Sequence, residues 1–161
     1  MKTAASKSPT EKKTSTKKTT KKSVKKSKWT PGGYSLLVKR SSAGLGLFAG
    51  EDIPKGKCVI EYVGRPVSKE EEYSSRSLYL FEISKTKTID GKPKMNKAGY
   101  INHSCAANCE PEIHAGRVYI FSIKNIKAGD ELGYDYGLDY YNDHIRPCKC
   151  AAKKHLYPNK K

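Results

Sequence analysis

The segment YINHSCAANCE, residues 100–110, packs an Asn–His pair, two cysteines and a second Asn into eleven residues. Such side chains ligate metals, serve as nucleophiles or bases, and hydrogen-bond a bound ligand. The segment alone leaves these three chemistries open. SSAGLGLFAG (41–50) holds Gly44, Leu45 and Gly46 between strand-like stretches. Glycines there let backbone groups approach a ligand closely, and they suit a plain hairpin turn equally well. The dinucleotide-binding fingerprint is excluded, because the third glycine and the strand-to-helix context are missing. GDELGYDYG (129–137) carries Tyr134 and Tyr136. On a strand they project to one face with Asp135 opposite, as in a phenol-lined channel or a half-buried sheet edge.

These groups need elements to hold them. YSLLVKR (34–40), CVIEYVG (58–64), LYLFEI (78–83) and RVYIFSI (117–123) are rich in β-branched and aromatic residues and predict short strands. In SKEEEYSSR (68–76), Ser68 and Glu71 have the spacing of a capping box and predict a short helix. DIPKGKCVIEYVG (52–64) and NIKAGDELGYDYG (125–137) share an Ile, a Gly three residues later and a second Gly after a strand-like run. The spacing predicts one device used twice, a tight Gly turn feeding a short strand.

The chain has 161 residues, enough for one domain, and carries +16 from 32 basic and 16 acidic residues. The excess is concentrated: residues 1–28 hold eleven Lys and one Glu, with a single branched aliphatic and no aromatic. That composition cannot bury enough apolar surface to offset ordering, so a disordered basic tail suited to polyanions such as DNA is expected. No apolar stretch approaches the ~20 residues of a membrane span, and no signal-peptide core leads the chain. An intracellular protein with reduced cysteines is expected.

In order along the chain, GLGLFA, YLFEI, YINHSCAANC and GDELGYDYG closely resemble the SET-domain protein-lysine N-methyltransferases, over about Tyr34 to Tyr141. The resemblance implies a mostly β fold. It would have several short-stranded sheets, one or two short helices and a knot-like C-terminal crossing. The implied organisation is a basic tail over 1–28, a SET catalytic domain over 29–141 and a post-SET-like segment over 142–161. The implied cofactor is S-adenosylmethionine, held by Gly44, Leu45, Gly46, Tyr79, Tyr100, Asn102 and His103. Tyr136 matches the family's essential tyrosine, and Tyr62, Tyr134 and Phe81 would line the lysine channel. A Tyr at 134, where the family has Phe or Tyr, would favour monomethylation.

CKCAAKKH (148–155) keeps the family's C-terminal cysteine spacing with His in the last place. The resemblance therefore implies a zinc site of Cys105, Cys148, Cys150 and His155. Cys58 and Cys109 match no ligand position and are expected in the core. Gly99 stands where many relatives have Arg, which would loosen that segment. The implied partner is a protein with accessible lysines, histone or histone-like, in a nucleoid or in chromatin. Two other readings are an inactive SET-like chromatin or nucleoid module and a DNA-compacting protein acting through its tail.

Overall fold

The computed structural model describes residues 27–92 and 96–157. The expected tail lies outside the described residues apart from Ser27 and Lys28. Among the described residues the chain forms ten short strands. The first six are β1 (Leu36–Ser41), β2 (Gly44–Ala49), β3 (Cys58–Tyr62), β4 (Arg65–Val67), β5 (Leu80–Ser84) and β6 (Lys87–Asp90). The others are β7 (Asn102–His103), β8 (Cys109–His114), β9 (Arg117–Ser122) and β10 (Gly133–Tyr134). Helix α1 spans Lys69–Ser74 and α2 spans Leu138–Tyr140, which runs directly into a wide turn at Tyr141–Ile145.

The strands make four small sheets: β1-β2, β4-β6-β5, β3-β9-β8 and the pair β10-β7. All pair antiparallel except β7 and β10, which are parallel with Asn102 opposite Gly133 and His103 opposite Tyr134. A parallel pair needs a crossover between its strands, and here β8, β9 and the turn after them supply it. The mostly β, SET-type fold with its late crossing is therefore as expected.

Alternation explains the core. Val118 and Ile120 of β9 face inward and pack with Leu47, Ile53, Val59, Ile101, Ile126 and Leu132. Tyr119 and Phe121 face outward, where Trp29 covers them. Both faces of β9 are thus buried, which is why its sequence is almost continuously apolar. Edge strand β8 tolerates Pro111, whose missing N–H would break a central strand.

The two related segments meet face to face. Ile53 and Ile126 exchange backbone hydrogen bonds of 2.8 and 2.9 Å. Each is followed by a glycine in the left-handed region, Gly56 at φ +77° and Gly129 at φ +92°. Each glycine donates at 2.7 Å to an earlier or paired strand, Gly56 to Ser122 and Gly129 to Ala49. The device predicted from spacing is present twice, feeding β3 and β10. Helix α1 carries both hydrogen bonds of its capping box, between Ser68 and Glu71.

Candidate active site

The crossing joins the sequence motifs at one cavity of about 880 Å³. At one end, Asn102 of β7 donates from Nδ2 to the Leu45 carbonyl at 3.0 Å and to Glu131 Oε1 at 2.9 Å. Ser41 Oγ donates to the other Glu131 oxygen at 2.8 Å. Glu131 therefore ties the β1–β2 hairpin to the crossing. Gly44 and Leu45 line the cavity. Gly46 does not: it is buried behind them, where a Cβ would run into the Glu131 carboxylate. Asn108 braces the same crossing, accepting from Gly133 N–H at 3.0 Å and donating to the Glu131 carbonyl at 2.8 Å.

His103 is 8% exposed. Burial holds its pKa below the ordinary value although Asp135 opposes the shift, so the ring is neutral. Its Nδ1 accepts from the Tyr136 N–H at 3.3 Å. The proton therefore sits on Nε2, which lies 3.3 Å from Cys105 Sγ and donates to it. Asp135 Oδ1, 3.6 Å from Nδ1, faces a neutral ring and makes no ion pair with it. Asp135 instead accepts from the Tyr157 hydroxyl at 2.7 Å.

Phenols wall another part of the same cavity. The Tyr134 and Tyr136 rings lie 4.8 Å apart, and Tyr140 meets Tyr136 edge-on at 5.1 Å. Tyr62 packs on Phe81 at 5.3 Å and donates to the Tyr79 carbonyl at 2.9 Å. Tyr136 donates to the Ile101 carbonyl. Burial, with smaller contributions from neighbouring phenols and acids, raises the pKa of Tyr62, Tyr134 and Tyr136 well above the ordinary phenol. These hydroxyls stay protonated at neutral pH. Tyr79 and Tyr100 line the same cavity.

Sequence reasoning missed four supports of this cavity. Glu131 and Tyr140 are two. Gly91 is the third, since a Cβ there would overlap the Tyr62 ring. Asn96 is the fourth, 3% exposed and donating to the Gly91 carbonyl at 2.8 Å. Gly99 sits in a tight helical turn, Lys97–Tyr100, with its N–H on the Asn96 carbonyl at 3.1 Å. The segment is held by hydrogen bonds rather than loosened there.

Cys105, Cys148, Cys150 and His155 converge, with their ligand atoms all within 4.8 Å of one another. Cys105 and Cys148 sulfurs are 3.9 Å apart, and Cys150 Sγ is 3.6 Å from His155 Nδ1. Donors on a tetrahedron with zinc bonds of about 2.0–2.3 Å lie about 3.5–3.8 Å apart, so the set fits zinc. Burial pushes the Cys148 thiol up to about 12. Burial also opposes ionisation of Cys150, but the N–H groups of Cys105 and Ala152, together with hydrogen bonds from the Cys148 and Cys105 thiols, outweigh it and bring that thiol down to about 7. Cys58 and Cys109 lie apart from this cluster, at 5% and 1% exposure, in the cores.

The chain matches the SET domain family over residues 44–137 and belongs to that family. It is 37% identical over 129 residues to the histone-lysine N-methyltransferase 2D of Homo sapiens, covering 72% of this chain and 2% of that protein. It is 36% identical over 122 residues to the H3 lysine-36 specific histone-lysine N-methyltransferase of Mus musculus, covering 68% of this chain and 5% of that protein. The chain thus spans a small fraction of these curated relatives. Among solved structures, it superposes on the Chaetomium thermophilum polycomb repressive complex 2 with TM-score 0.61 and 31% identity, over 68% of this chain and 16% of that one. A form of ctPRC2 bound to S-adenosylmethionine in an autoinhibited conformation gives TM-score 0.60 at 34% identity, over 65% and 15%.

Proposed function

We propose that the chain is an S-adenosylmethionine-dependent protein-lysine N-methyltransferase. The observation that carries this reading is the β7–β10 crossing, which brings Asn102 and Tyr136 to one cavity. At about 880 Å³ the cavity lies in the range of small-molecule sites. Backbone groups of Gly44 and Leu45, with Tyr79, Tyr100, Asn102 and His103, hold the cofactor; Gly46 supports them from behind. When bound, S-adenosylmethionine supplies an electrophilic methyl group for an in-line displacement.

The chain's own part is to present a neutral amine. A free lysine has a pKa near 10.4, so only about one in 2,500 is neutral at pH 7. A water-poor wall of Tyr62, Phe81, Tyr134 and Tyr136 favours that form. The Tyr136 proton is committed to the Ile101 carbonyl, so its oxygen is left to accept an amine N–H. That contact points the amine lone pair away from the phenol. Tyr136 therefore acts by positioning and electrostatics, because a phenol with a raised pKa is a poor base.

Among the described residues the Tyr134 hydroxyl makes no hydrogen bond and is free to crowd a methylated amine, which supports a preference for monomethylation. A zinc ion held by Cys105, Cys148, Cys150 and His155 would supply a structural cross-link between the crossing and the C-terminal segment. Its Cys105 ligand is oriented by the His103 Nε2–H. The substrate we propose is a histone or histone-like protein in chromatin or a nucleoid, with residues 1–28 holding DNA by salt-sensitive contacts.

The test is transfer of labelled methyl groups to histones and other lysine-rich proteins by wild type beside Tyr136→Phe. Wild type should transfer, and Tyr136→Phe should lose about 100-fold or more in kcat, the loss of one aligned polar group in an active site. No transfer by wild type to any of these proteins would contradict the reading.

A further inference from the structure

The segment linking the basic tail to the domain is fastened across one sheet. Gly32 N–H donates to the Cys58 carbonyl at the start of β3 at 2.9 Å. Trp29 then packs over Tyr119 and Phe121 of β9, with centroids at 5.6 and 5.4 Å. Its indole stacks on His114 of β8 at 4.2 Å, 1° from parallel. Lys28 Nζ sits 2.9 Å from Glu112 of β8 and over the Trp29 and Phe121 rings, at 4.7 and 4.9 Å from their centroids. A carboxylate and two aromatic faces make an ammonium site, and Lys28 fills it.

The direction of this strap matters. The sheet order is β3-β9-β8. Followed towards the N-terminus, residues 32 to 28 cross the outer face from β3 to the edge strand β8. Neighbouring residues of a strand face opposite sides, so Pro111 points inward where Glu112 points outward. Pro111 lines the candidate active-site cavity, together with Phe81 and Glu82. The tail therefore leaves the domain at the edge of the very strand whose other face walls the cavity. Glu82, which is exposed, adds negative charge on that side.

Rounding one strand, from outer side chains to inner, is a path of about 20 Å. About six extended residues cover it. Counted back from Lys28, that brings Lys22, Lys21, Lys18 and Lys17 within reach, and leaves Lys25 and Lys26 too close to the anchor.

We propose that these four lysines are the enzyme's own substrate, methylated within the same molecule, with Lys28 and Trp29 as the anchor that delivers them. The proposal rests on the methyltransferase reading above. The neutral Nε of a tail lysine attacks the methyl carbon of S-adenosylmethionine as the carbon–sulfur bond breaks. The bond electrons stay on the sulfur of S-adenosylhomocysteine, and the ammonium proton goes to solvent. A short tether gives an effective concentration of about a millimolar, so the tail also competes with any external substrate present at lower concentration.

The experiment incubates the full chain with S-adenosylmethionine, alone and beside a histone, and maps methyl groups by peptide mass spectrometry. Methyl-lysine should appear at 17, 18, 21 and 22 in preference to 25 and 26. Its rate constant should stay the same across about a 100-fold range of protein concentration, the mark of a tethered reaction. Trp29→Ala, and Glu112→Gln as a milder change, should slow tail methylation by about 5-fold while histone methylation stays within about 2-fold. A methylated histone beside an unmodified tail overturns the proposal, as does a rate that rises in proportion to protein concentration. Tail methylation unchanged in both variants overturns the anchor's role. Methylation of neither tail nor histone overturns the underlying activity.

Discussion

Tyr134 and Tyr136 share a wall but not a task. The Tyr136 hydroxyl is committed to the Ile101 carbonyl, whereas that of Tyr134, 7% exposed, makes no hydrogen bond among the described residues. Tyr134→Phe keeps the ring and removes only the hydroxyl proposed to crowd the amine. On the proposed preference for monomethylation, it should convert a monomethylated product into a mixture with dimethyl-lysine, with the first transfer slowed by no more than about 5-fold, a loss near 1 kcal/mol. Timed mass spectrometry of a lysine peptide reads both quantities, and a product that stays monomethylated would count against this role. Glu131 shows why some of the site was illegible. Its carboxylate bridges Ser41 and Asn102. Those partners lie 90 and 29 residues away in the chain, a separation that no spacing rule covers.

At the scale of elements, legibility followed length and local chemistry. Helix α1 could be placed because its capping box is a local signal. Strands β1, β3, β5 and β9 showed through β-branched and aromatic runs. β4, β7 and β10 have only two or three residues each, too few to carry a period, and they exist because tertiary packing holds them. β8 hid behind Pro111, which only an edge strand accepts. Among the described residues the C-terminal segment has no regular element after Ile145. What fastens it is a small cluster of Cys105, Tyr141 and Cys148, with Tyr157 packed beside it. Metal should therefore matter here more than anywhere else in the molecule. The purified protein should hold one zinc per chain by elemental analysis, and Cys148→Ser should lose it. His155→Cys should retain it, since zinc accepts four thiolates as readily. Chelation should lower Tm by several degrees, about 1–2 kcal/mol for a domain of this size. An unchanged Tm and no metal would remove the cross-link from the account.

At the scale of the whole molecule, the crossing buries acidic protons. Burial raises Cys109 to about 12 and places Tyr134 and Tyr136 above the ordinary phenol. A group whose folded pKa exceeds its unfolded value stabilises fully below the unfolded pKa, and that stability is lost as pH rises towards the folded one. The unfolded values are near 8.5 for Cys and 10 for Tyr. Stability should thus fall from about pH 8.5 upward, with Cys109 alone contributing about 1–2 kcal/mol between pH 8 and 10. Urea unfolding under reducing conditions at those two pH values checks this, and Cys109→Ala should show the smaller drop. A wild-type drop no larger than the variant's would contradict it. The same crossing is the centre of the proposed function, in which Asn102 and His103 form a cofactor end and Tyr134 and Tyr136 an amine end. Calorimetric titration of S-adenosylmethionine into wild type, Asn102→Ala and Tyr136→Phe tests that division most directly. One site per chain is predicted, weakened about 10-fold or more by Asn102→Ala, a loss of at least 1.4 kcal/mol, and by no more than about 3-fold in Tyr136→Phe. No binding to wild type, or a loss in Tyr136→Phe with Asn102→Ala unaffected, would contradict it.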